Sequence, residues 1–149
     1  MYRLARFYVR AALIYLAQAS LIGALLMFNQ GFALDSHISA LQPVFYHLLM
    51  VGWATQLIGG VALWMFPPHT RQRPHGPEVL GWTSFVALNT GLICRAIGEG
   101  LAAWGVSTLP TVLLAASAVL QVLAAWLLVI ALWPRVKGRI TPLSTKVAR

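Results

Sequence analysis

The chain has 149 residues, 59% of them hydrophobic and only 9% charged, where an average soluble domain is roughly a quarter charged. With six Trp, long uncharged runs and a mean hydropathy of +0.75, the composition is that of a membrane protein. It excludes a disordered chain, a secreted disulfide scaffold and a soluble enzyme. The formal charge of +8 does not point to nucleic acid, because the basic residues stand at the ends of the apolar runs.

Four apolar runs are expected to be spanning helices, at residues 5–29, 40–66, 78–104 and 110–133. Each is about 25 residues long, enough at 1.5 Å per residue to cross a hydrocarbon layer of ~30 Å with some tilt. The first opens with Arg3, Arg6 and Arg10 and contains Ala17-Gln18-Ala19, a pattern seen in cleaved signal peptides. Its apolar run continues through Phe28, longer than a signal core, so an anchor helix is expected. Residues 67–77, between the second and third runs, hold four prolines and are expected to form a loop.

Ten of the eleven basic residues fall on one side: three at the first run, two in the loop 67–77 and five after the fourth run. By the positive-inside rule both termini and that loop are expected to be cytoplasmic. Connections are short and no internal repeat is visible. The expected fold is therefore an all-α integral membrane protein, one domain over residues 1–149, folded as an antiparallel four-helix transmembrane bundle. The tail 135–149 is expected to be solvated, with docking on anionic headgroups or a partner as the alternative. Cys94, the single cysteine, lies in an apolar run and is expected to be packing.

Polar groups at membrane depth carry the functional information, since hydrocarbon leaves them no water partner. Counting from the basic end places Gln18, Gln56, Asn89 and Gln121 at a similar depth, roughly 15 to 20 Å in. One amide per helix suggests interhelical hydrogen bonds that fix the bundle. No chain of carboxylates accompanies them, which argues against a proton pump. A second layer holds His47, Arg95 and Glu99, roughly 24 to 30 Å from the same edge. Arg95 and Glu99 are four apart and can pair across a helical turn. A neutral imidazole in an apolar bundle is a ready axial ligand for haem iron or chlorophyll magnesium. A guanidinium at its level could hold a propionate. The alternative leaves His47 as hydrogen-bonded packing and Arg95 neutralised by Glu99.

The stretch 46–67, from Tyr46-His47-Leu48-Leu49 through Gly52-Trp53 and Gly59-Gly60 to Trp64-Met65-Phe66-Pro67, resembles membrane proteins related to haem-copper oxidase subunit I, including the nitric-oxide-reductase branch. In these a His is followed by Gly-Trp and a Gly-rich stretch ending in Met-Phe-Pro or similar. Weaker echoes are Asn89 to Arg95 and Leu120 to Pro134. The resemblance implies that His47 ligates a low-spin haem b toward the outer side of a bacterial inner membrane. Arginines that hold haem propionates also occur there, which makes Arg95, with Glu99 beside it, the candidate propionate anchor by its depth rather than by a motif match. Full-length members carry more helices, a second haem ligand and a His cluster for copper, none of which this chain has. Phe45 stands where short relatives often show the first His of a His-x-His pair. Oxygen or nitric-oxide reduction at a binuclear centre is thus not expected. A sixth iron ligand could come from Met27, from a His of another copy, or from nothing, which would leave iron open to a diatomic gas.

His37 in the outer loop is expected to be solvated, and His69 and His75 in the loop 67–77 have poor metal geometry. Three readings follow. One is a b-type haem protein for electron transfer or gas binding, with His47 as metal ligand. Another is an accessory subunit of a larger respiratory or photosynthetic complex, or a homo-oligomer, holding a chlorophyll-type pigment or no cofactor. The third, a transporter or quinone-site protein, is disfavoured for want of a repeat, a broken helix and more than one carboxylate within the spans. No nucleophile, phosphate loop or Cys/His cluster marks an enzyme.

Overall fold

A computed structural model describes residues 3–66, 78–106 and 108–136. All its elements are helical, and four rods are long and apolar enough to cross a membrane: Arg3–Phe32, Ser36–Met65, Glu78–Ala103 and Thr108–Arg135. They lie within a few residues of the expected runs. The first rod is one α-helix, α1 (Arg3–Phe32). The second is composite: α2 (Ser36–Ser39), α3 (Gln42–His47), a π-helical segment at Leu48–Thr55, and α4 (Gln56–Met65). The third is α5 (Glu78–Ala103), and the fourth is α6 (Thr108–Leu132) with a short 3₁₀ turn at Trp133–Arg135.

The rods alternate in direction. At one end, here termed the basic end, the start of α1 meets the start of α5, where the buried Tyr8 hydroxyl donates to Ser84 Oγ at 3.0 Å. Ser84 in turn donates to the Ala124 carbonyl on α6 at 2.7 Å. Three rods are thereby joined by two buried hydrogen bonds, which satisfy polar groups that an apolar core would otherwise penalise. Leu4, Ala5, Tyr8 and Leu63 form the core here, with Trp82, Phe85, Leu128 and Leu132 against it. Gly60 brings the second rod against α1: a Cβ there would lie 2.8 Å from Tyr8 Cβ and 3.3 Å from the Ala5 carbonyl oxygen. Arg135, expected in a solvated tail, is instead buried, and its Nη1 donates to the Leu63 carbonyl at 3.1 Å. The physical reason is that the last carbonyls of α4 lack intrahelical donors, and a cation is favoured there.

At the far end, α1 turns into the second rod around Asn29. Its Oδ1 accepts from Asp35 N at 2.8 Å and its Nδ2 donates to Ser39 Oγ at 3.0 Å. Asp35 caps α2 by accepting from His37 N at 2.9 Å, a standard N-cap role. The turn holds Ala33 at φ 48, a left-handed conformation costly for a residue with a Cβ. The end of α5 closes through Gly105 at φ 78, with Val106 N bonded to Leu101 O and Gly105 N to Ala102 O, a Schellman cap. His37 is exposed but engaged: its ring stacks on Trp104 with centroids 5.1 Å apart. Its Nδ1 donates to the Ala103 carbonyl at 2.8 Å. The expected solvated histidine thus clasps the two helical hairpins, because the end of α5 offers both an indole face and an unpaired carbonyl.

Candidate functional site

The deep polar residues divide by layer. In the amide layer Gln56 is fully buried, and its Nε2 and Oε1 meet Asn89 at 3.3 and 3.4 Å. Asn89 also donates to the Phe85 carbonyl of its own helix at 2.7 Å. Gln121 turns back to Ser117 Oγ at 2.8 Å, and Gln18 lies exposed on α1. The expected four-helix amide contact is therefore a two-helix one. Gln121 satisfies itself locally, as residues four apart on a helix can.

In the outer layer, His47 ends α3 at the junction with the π-helical segment. Pro43 sits in the first turn of α3, where its missing N–H costs nothing, and its carbonyl lies 2.9 Å from His47 Nδ1. A carbonyl only accepts, so Nδ1 carries the proton. In the neutral ring the lone pair then stands on Nε2. Metal-bound histidines commonly have this arrangement, with one nitrogen held by a carbonyl and the other free to ligate. His47 itself is half-buried.

Arg95 and Glu99 contact each other along α5, Nε to Oε1 at 2.5 Å, with side chains 26% and 9% exposed. The Nε–H is not aligned with that contact. Arg95 Nε and Glu99 Oε2 are thus buried without a hydrogen-bond partner among the described residues. Burying an ion pair whose remaining atoms are unsatisfied is costly, so this pair is a genuine polar centre. Met27 is 66% exposed and borders a surface groove with Gly23, Phe45 and Tyr46. The grooves that it lines do not include His47.

The four candidates have different contacts: Arg95 meets Glu99, His47 meets Pro43, and Met27 lies on a lateral groove. As a haem test, the donor at His47 fits and the unsatisfied Arg95 could address an anionic edge, while His47 is not among the residues that line four cavities of the described residues. Among the described residues no group of three His, Cys, Asp or Glu could hold a metal ion. His69 and His75 lie outside the described residues.

Two features were missed by sequence reasoning. The first is the π-helical segment Leu48–Thr55, whose wide turns leave Thr55 Oγ1 donating to the Met50 carbonyl at 2.9 Å; such segments concentrate at functional sites. The second is a cavity of about 520 Å³ between α1 and α5. Gly52, inside a long apolar run, was the available signal for the first. No protein family, curated protein or solved structure matches this chain.

Proposed function

We propose that the chain is a small membrane-integrated b-type haem-binding protein, serving electron transfer or diatomic gas binding, with His47 Nε2 as the iron ligand. The observation that carries this reading is the His47 Nδ1–H bond to the Pro43 carbonyl, which fixes the ligating tautomer beside a π-helical segment. Four apolar rods and the one-sided basic residues support insertion in a membrane, with both termini cytoplasmic and His47 in the outer half; the bacterial inner membrane is what the family resemblance implies. When bound, haem b supplies one-electron chemistry or an open iron position. His47 would hold it, and Arg95 would meet its anionic edge by exchanging its contact with Glu99. The test is iron and haem per chain for wild type and His47→Ala. Near-equimolar haem in the first and none in a still-folded variant supports the reading; equal haem in both, or none in either, rejects it.

A second reading has its own observation. His47 is only half-buried and does not line the cavity between α1 and α5, and large apolar side chains such as Met50, Ile58 and Trp126 face outward. A site open on one side is what an accessory subunit of a larger complex, or a homo-oligomer, would complete with a neighbouring chain. Haem present in the assembled complex and lost on separating the subunits favours this arrangement.

A further inference from the structure

The cavity between α1 and α5 runs from the level of Ile14 and Gln18 outward past the amide layer, and its volume of about 520 Å³ falls within the range of small-molecule sites, roughly 300–1,000 Å³. Its walls are apolar, with Leu48, Leu92, Ile93 and Ala96 among them. Its rim residues on α1 and α5, including Ile93, are exposed, so it opens sideways between the rods. Two polar residues are among its lining, Tyr15 and Gln18, three apart on α1 and hence on one helix face. Gln56, Asn89 and Gln121 have side-chain partners. The Tyr15 hydroxyl and the Gln18 amide have none among the described residues.

Tyr15 is also placed by the backbone. Its ring lies against Gly52 in the π-helical segment, where a Cβ would stand 2.8 Å from Tyr15 Cγ. The wide-turned segment and its glycine thus hold the phenol at the cavity wall. The sequence disfavours a quinone site partly because no helix looks broken, yet the second rod departs from α-helical geometry where Leu48 borders the cavity.

We propose that this cavity binds a membrane-dissolved isoprenoid quinone. Its ring carbonyls accept from the Tyr15 hydroxyl and the Gln18 amide, its ring meets the apolar walls, and its tail leaves through the lateral opening. An acyl chain would fill the walls but leave both donors unbonded in an apolar setting, which is costly. An anionic headgroup is disfavoured because no Lys or Arg is among the described lining residues. The proposal is independent of haem at His47.

The test uses the full chain in phosphatidylcholine nanodiscs, titrated with decylubiquinone, with bound quinone counted after gel filtration against empty discs. About one saturable equivalent per chain is expected. Tyr15→Phe with Gln18→Leu should weaken binding roughly tenfold or more through the loss of two hydrogen bonds, with unchanged circular dichroism. Ile93→Trp, a change on an exposed rim position, should abolish the saturable component. Binding no greater than in empty discs overturns the proposal. So does saturable binding that survives the double substitution, or a retained phospholipid, seen by native mass spectrometry, that the quinone does not displace.

Discussion

Removing one member of the Arg95–Glu99 pair should cost far more than removing both. In Arg95→Met the Glu99 carboxylate, 9% exposed, loses its contacting cation. Its Oε2 already has no hydrogen-bond partner among the described residues, so the expected loss is about 3–5 kcal/mol. Glu99→Gln leaves a guanidinium that is 26% exposed on a long stem that can reach toward a polar surface. The expected loss is then about 1–2 kcal/mol. Arg95→Met with Glu99→Gln removes both charges together and should lie within about 1 kcal/mol of wild type. The cycle therefore predicts a coupling of about 5 kcal/mol, and no less than about 3. Unfolding by SDS titration in mixed micelles, followed by far-ultraviolet circular dichroism, measures all four proteins. A double variant that loses the sum of the two single losses refutes the reasoning, because the side chains would then not sense one another.

Gly60→Leu places side-chain atoms where Tyr8 and the Ala5 carbonyl stand, so α1 and the second rod must separate, at a cost of about 1–3 kcal/mol in the same SDS assay. Ala33→Gly relieves a left-handed residue at φ 48 and should stabilise by about 1 kcal/mol; an unchanged or lower midpoint contradicts the strain. His37→Ala removes the ring stacked on Trp104 and the donor to Ala103. Amide exchange at Trp104, Gly105 and Val106 should then quicken while exchange at the basic end stays the same.

The four rods were legible because the physics that sets them is one-dimensional: apolar runs of spanning length, ended by Arg, Pro and Gly. Their bounds differ from the structure by a few residues where caps act, as at Asp35, which lengthens the second rod beyond its apolar run. The Arg95–Glu99 contact followed from a spacing of four on one helix. Partners across helices did not follow in this way. Gln56 and Asn89 meet while Gln18 and Gln121 do not join them, since depth along an axis says nothing about which face a side chain occupies. Arg135 reads as tail in sequence because only the packed bundle brings the end of α4 to it. The π-helical register was hidden because an i to i+5 bond pattern leaves the hydropathy of 48–55 unchanged. Its position beside His47 and Tyr15 is a property of the fold.

The most direct test of the account is the reduced-minus-oxidised absorption spectrum of the detergent-purified chain, with a pyridine haemochrome to count haem and carbon monoxide added to the reduced sample. The account predicts sharp reduced bands with close to one haem b per chain or per completed site, absent in His47→Ala. A shift with carbon monoxide would mark an iron open to gases, and no shift an electron carrier. A featureless spectrum from folded protein, isolated both alone and with its membrane partners, would contradict the account and return His47 to a packing role.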